Sequence, residues 1–176
     1  MGLSTSNIKT ALHTWLTTTT SYTGDKVVWA YQNAPEPGSD FISVIPILSM
    51  QRIGQDERIY ENDADILTRH RRSIIAQIDV YGGDAFGVAA NAYDGLLLPN
   101  IHAIFLPLAL SADYNSNIRN ISSLKDGRYE ARASFDVRIS AVYDSTTLAD
   151  DLGWWDSVQY TGTGGMLGLI PETTVN

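Results

Sequence analysis

Residues 128–143 (RYEARASFDVRISAVY) alternate without a break, and no other tract limits the possible folds so strongly. Tyr129, Ala131, Ala133, Phe135, Val137, Ile139, Ala141 and Tyr143 share one face; Arg128, Glu130, Arg132, Ser134, Asp136, Arg138, Ser140 and Val142 share the other. Successive side chains of a β-strand point to opposite faces, so a period of two reads as a strand with one side on a core and one side in water. An antiparallel sheet covered on one face gives that pattern. At ~3.3 Å per residue the tract would reach about 50 Å, longer than an ordinary strand, so a bend, a bulge or a projecting hairpin is expected.

A second unit, residues 71–98, reads as strand, turn and helix. Ile74, Ala76, Ile78 and Val80 alternate with Ser73, Gln77, Asp79 and Tyr81, and Gly82–Gly83 then breaks the strand. Asp84 stands where a side-chain oxygen accepts from the first helical amides. Phe86, Ala89, Ala90, Tyr93, Leu96 and Leu97 follow at helical spacing as the expected buried stripe.

The remaining elements follow in order. Ile8, Ala11, Leu12, Trp15 and Leu16 predict an N-terminal helix, capped by Ser4 or Ser6 and ended by the threonines at 17–20. Residues 26–32 predict a strand, 33–39 a proline-rich loop, and 40–53 a strand apolar on both faces, with Pro46 favouring an edge or a bulge. Residues 54–68 read as an exposed acidic excursion and 102–110 as a further strand interrupted by Pro107. Residues 111–126 read as polar and turn-rich, and 144–155 as a short helix or turn. Runs of β broken by helices predict an α+β domain over residues 1–153: a mostly antiparallel sheet with two helices packed on it. Residues 154–176 have no sustained period and read as an extended C-terminal arm. Trp154 and Trp155 at its root are costly to leave in water, so the arm is expected to order on a neighbour.

Chemistry is bounded mainly by what is missing. The chain has no cysteine, which removes thiolate catalysis, disulfides and Cys-based zinc sites. Its formal charge of −8 argues against a surface that grips a phosphate backbone from outside. The glycines at 82, 83 and 87 lack the Lys-Ser/Thr of a phosphate loop, and the ENDAD tract at 61–65 lacks calcium-loop spacing, so no cofactor and no metal are expected. The three histidines (13, 70 and 102) have no nucleophile-elbow serine near them in sequence, and the chain is not read as an enzyme. The N-terminus does not read as a signal peptide, and the apolar run around 106–110 is far short of the ~20 residues that span a bilayer, so no membrane partner is expected.

The candidate contact residues are charged or aromatic. Arg69, Arg71 and Arg72, with His70, form the one basic cluster. It suits DNA phosphates or, better, an acidic surface such as that around Asp56 and Glu57 on a neighbouring copy. Arg128, Glu130, Arg132 and Arg138 on the polar face of the long strand suit a subunit contact. Trp154 and Trp155 complete the set.

The tracts VVWAYQNAPEPGSDFISVIPILSMQRIG (27–54), IIAQIDVYGGDAFGVAANAYDGL (74–96) and RYEARASFDVRISAVY (128–143) together resemble the phage neck or tail terminator proteins. The resemblance covers roughly residues 10–143. It implies a structural virion protein of the tail and neck, assembled in the host cytoplasm: a homo-oligomeric, hexameric ring that caps the tail tube and ends its growth. Its implied partners are the tail tube protein, a head-side connector or head-completion protein, and in contractile tails a sheath protein, with DNA passing through the lumen without specific binding. Two other readings stand beside it. One is a different phage structural subunit, of the tail tube or of head completion. The other is a carbohydrate-binding module stacking sugars on Trp154, Trp155 and Tyr160.

Overall fold

In the computed structural model, residues 3–32, 37–38, 40–62, 65–125 and 127–148 are described. Helix α1 (Thr5–Thr19) starts where the Asn7 amide donates to Ser4 Oγ at 3.3 Å. Its face Ile8, Ala11, Leu12, Trp15 and Leu16 is fully buried. The helix ends within the threonine run, as expected, running to Thr19 with Thr20 as its C-cap. The Thr17, Thr18, Thr19 and Thr20 hydroxyls donate to the carbonyls of His13, Thr14, Trp15 and Leu16 at 2.6–2.9 Å, so each β-branched side chain is anchored to the preceding turn.

Strand β1 (Val27–Trp29) is shorter than expected, and Tyr31 just beyond it turns the chain with a positive φ of 63°. It lies parallel to β2 (Phe41–Arg52), the one parallel pair in the described sheet. The register of β2 against its other neighbour shifts between Ile45 and Ser49, around Pro46, which has no N–H to give a ladder. The acidic excursion is a correction: residues 57–62 form β3 (Glu57–Asn62), hairpinned onto β4 (Asp65–Tyr81).

After β4 the Gly82 amide donates to the Ala131 carbonyl at 3.2 Å, with φ at 128°. A Cβ there would lie 2.2 Å from Asp40 Oδ1, so the turn needs glycine on both counts. Helix α2 (Ala85–Gly95) begins at Asp84, whose side chain makes no capping bond. Its buried face is Ala85, Val88, Ala89, Ala92 and Gly95, followed by Leu96. The expected stripe is therefore rotated: Phe86 is 52 % exposed and Leu97 is also exposed. The cause is the approach of α1. A Cβ on Gly95 would fall 2.5 Å from Thr19 Cγ2, and Trp15 Nε1 donates to the Ala92 carbonyl at 3.2 Å, so small residues must face α1.

Residues 102–110 are not a strand. Pro99 opens helix α3 (Pro99–Phe105), proline being preorganised for the first helical position, and Ile101 and Phe105 bury one turn apart. A 3₁₀ turn (Leu106–Leu108) and a left-handed Ala109 follow, and only then does β5 (Leu110–Tyr114) begin. The turn-rich stretch contains β6 (Arg119–Asn120) and β7 (Ser123–Lys125).

The long alternating strand is broken at Ala131. Its first residues form β8 (Arg128–Glu130), which hairpins with β7, and the rest is β9 (Arg132–Leu148). At the break the Ala131 carbonyl accepts from Gly82, the Arg132 carbonyl from Ile121, and the Arg132 amide donates to Ser122 Oγ. Residues 144–148, expected as helix or turn, end β9; residues 149–155 and the arm lie outside the described residues.

The sheet order is β1-β2-β4-β9-β5, with β3 also on β4 and β6 on β9. Strands β4 and β9, of 17 residues each, pair from Asp65↔Leu148 to Tyr81↔Arg132 without a register shift, a ribbon about 55 Å long. The three helices pack on one face of it, over Ile74, Ala76, Ile78 and Val80 of β4 and Ala133, Phe135, Val137, Ile139 and Ala141 of β9. The fold is α+β, mostly antiparallel, with three α-helices rather than two.

Phe135 is fully buried and meets Trp15 and Tyr93 edge-on, with ring centroids at 6.3 and 5.6 Å. Phe135→Ala should lower unfolding free energy by about 3–5 kcal/mol, whereas Phe86→Ala should stay within about 0.5 kcal/mol. Urea unfolding followed by circular dichroism checks both; equal losses would return Phe86 to the core.

Candidate functional site

The buried aliphatic run on the helix-facing side of the ribbon stops at Ile74 and Ala141. Period two puts Arg72 and His70 next on that face of β4, and the register sets Tyr143 opposite His70, with Ser145 following on β9. Asp56, just before β3, reaches across to them. Its carboxylate accepts from Arg72 at 2.8 and 3.4 Å, sits 3.1 Å from His70 Nδ1 and lies 3.8 Å from Arg52. His70 Nε2 is 2.7 Å from Ser145 Oγ, and the Tyr143 ring lies against His70 (4.9 Å) and Arg72 (5.8 Å). The Arg72 hydrogen bond pulls the Asp56 carboxyl from its ordinary 3.8 down to about 2, against some desolvation and with help from His70.

On the opposite face Arg69 forks onto Asp144 at 2.9 and 3.1 Å and, chiefly through those hydrogen bonds, lowers its pKa. Arg71 reaches Glu57 only at 3.8 Å, both more than half exposed (58 % and 56 %), where an ion pair contributes little. The basic cluster and the acidic stretch therefore meet within one chain. The pairing clamps β3 and its leading turn onto the ribbon.

Asp56, His70 and Ser145 line up as carboxylate, imidazole and hydroxyl, an order that invites comparison with a hydrolase. Ser145, however, sits inside a continuous strand opposite Thr68, not on a strand-to-helix elbow, and Arg72 competes for the same carboxylate. Structural clamping accounts for every contact in the cluster. Among the described residues no group of three or more His, Asp or Glu is placed to hold a metal, and no helix is long and apolar enough to cross a membrane.

The remaining candidates are dispersed. Arg132 donates to the buried Asp79 at 3.0 Å and lies over Tyr81, whose ring stacks on Phe41. Arg138 is exposed and donates to Asn115 Oδ1 at 3.0 Å. Glu130 lies in β8 opposite Ser123, away from the ribbon clamp. The Arg128 side chain, Trp154 and Trp155 lie outside the described residues.

Alternation gave no warning of two exposed apolar groups. Leu124 and Tyr129 face each other across the β7–β8 hairpin, 73 % and 71 % exposed, although Tyr129 falls on the apolar face in sequence. Leu48, Met50 and Ile53 are exposed at the far end of β2, along which β1 pairs only from Ile42 to Val44.

The clamp makes a pH prediction. A carboxyl held below its ordinary value stabilises in full above that value, and the contribution is lost as pH falls from about 4 through about 2. Amide hydrogen exchange in β3 should accelerate over that window, and Asp56→Asn should show the fast exchange already at pH 7. Unchanged β3 protection in the variant would mean that Asp56 clamps nothing.

No curated protein matches the chain. A family model described as phage neck terminator protein matches residues 6–164, which takes in all the sheet and, but for the first residue of α1, every helix described above. The chain therefore belongs to the phage neck terminator protein family, which implies a structural, non-enzymatic role in the tail and neck of the virion, among tail-component partners.

Proposed function

We propose that this chain is one subunit of a closed ring, six-membered as the resemblance implies. The ring caps the tail tube, stops its growth and joins the tail to the head-side connector, with DNA passing through the centre. In this reading residues 1–153 are the wedge and residues 154–176 an arm.

The observation that carries the reading is the pair of apolar patches on opposite sides of the sheet. A ring needs a heterologous contact, in which two different surfaces of one subunit complement each other and the rotation closes. The β7–β8 hairpin lies off the main sheet, and a hairpin so small is marginal in water on its own. Its Leu124–Tyr129 pair is near the β6 side of β9, while Leu48, Met50 and Ile53 lie on β2, across β4 from β9. The hairpin of one copy against β2 of the next buries both patches and repeats around an axis. Arg138 and Glu130 stand on the hairpin side of the sheet, where they would border such a contact.

Negative-stain electron microscopy of the purified protein should show closed rings with a hole wide enough for duplex DNA. The double variant Leu124→Asp with Tyr129→Asp should run as a folded monomer by light scattering, with unchanged circular dichroism. A wild-type chain that stays monomeric at every concentration and never associates with tail tubes rules the ring out. Rings that persist in the variant would keep the ring and discard the hairpin contact.

A further inference from the structure

Strand β5 pairs with β9 only as far as Leu110↔Ala141. The Val142 amide then donates to Ala109, and the chain on the β5 side turns away through its 3₁₀ turn. A groove opens there, floored by Ala109, Val142 and Tyr143. It runs on to Arg69 and Arg71 in one direction, about 570 Å³, and past Leu108 in the other, about 310 Å³. Val142 is 42 % exposed in it.

We propose that residues 154–160 of the same chain run along the edge of β9 that β5 leaves open beyond Ala141 and dock in this groove, with Tyr160 on its apolar floor, Trp154 and Trp155 nearer Leu148, and Asp156 on the side of Arg69 and Arg71. Three observations choose this occupant. The first is charge. Residues 149–176 contain Asp150, Asp151, Asp156 and Glu172 and no lysine or arginine. Arg69 and Arg71 line the groove, two of the 12 cations in a chain of net −8. Arg71, whose Glu57 contact is long and solvated, is the cation with most to gain.

The second is reach. Strand β9 ends at Leu148, and the strand from there back to Val142 is about 20 Å long. Residues 149–153, Ala-Asp-Asp-Leu-Gly, have the length and composition of a hairpin loop. Residues 154–160 extended antiparallel to β9 cover the same ~20 Å. So short a tether holds the arm at about millimolar effective concentration, an advantage that a neighbour's arm lacks. The third is the family match, which runs past the last described residue to 164 and so includes Trp154, Trp155 and Tyr160. The groove and the β9 edge leading to it would give those aromatics a seat on the same chain. This inference does not depend on the ring.

The absence of cysteine allows a clean cross-linking test. The full-length chain carrying Val142→Cys with Gln159→Cys should form an intramolecular disulfide under mild oxidation, at a rate independent of protein concentration. That rate should exceed by about tenfold the rate for Val142→Cys with Val175→Cys, a tethered control beyond the docked segment. Adding Arg71→Glu, a change at an exposed position, should slow the first pair severalfold and leave the control unchanged. Equal rates for the two pairs would overturn the docking. Cross-links that form chiefly between chains, when V142C and Q159C proteins are mixed, would overturn the same-chain assignment in favour of a neighbour's groove.

Discussion

Everything in this fold depends on the register of β4 against β9. Each of the 17 residues of one strand has a partner on the other, and no bulge relieves the match. With a side-chain period of two, a slip of one residue would send the whole set of core side chains to the wrong face. The buried side chains from Ile74 to Val80 and from Ala133 to Ala141 therefore fix the ladder in the half under the helices. The Arg69–Asp144 fork and the His70–Ser145 contact hold the same register where the aliphatic core stops. Two kinds of interaction secure one ribbon: apolar burial at one end, and charge-assisted hydrogen bonds at the other.

That division explains the rest of the architecture. Helices α1, α2 and α3 need an apolar floor, so they gather where the strands alternate cleanly. Where the floor turns polar, β3 takes over, held by Asp56 rather than by a greasy face. The ribbon is thus stiffened along its length by neighbours of different kinds. In the proposed ring a wedge needs its edges held at fixed angles, and a bulge-free pair of long strands supplies that stiffness.

How much of this could be read from the residues depended on whether a feature was local. Alternation in 74–80 and 133–141, and the 8/11/12/15/16 stripe of α1, are statements about near neighbours, and the structure repeats them. The face of α2 was not local. Its apolar residues allow two stripes, and the close approach of Thr19 to Gly95 selected the small one, leaving Phe86 in water. Residues 102–110 were ambiguous because a short apolar block suits a strand or a helix; Pro99 and the Ile101–Phe105 spacing decided for α3. The clamp was half legible. The basic and acidic stretches stood out, but that they meet in one chain follows from a hairpin whose strand β3 looked like solvated loop. Tyr143 and Ser145 joined the cluster only through the register, which no single strand encodes.

The charge balance carries the argument furthest from the fold toward the virion. Of the 12 lysines and arginines, Arg52, Arg69, Arg71, Arg72, Arg119 and Arg132 are within 4 Å of carboxylates of the same chain, and Lys9 and Lys26 lie over aromatic rings. Cations here serve the fold. The surplus of negative charge is left to surfaces, where it repels phosphate rather than binding it. A DNA-gripping protein would spend its arginines the other way, with forks pointing outward and acids kept away from them. For the proposed ring, this distribution matches a lumen through which DNA slides instead of one on which it is held.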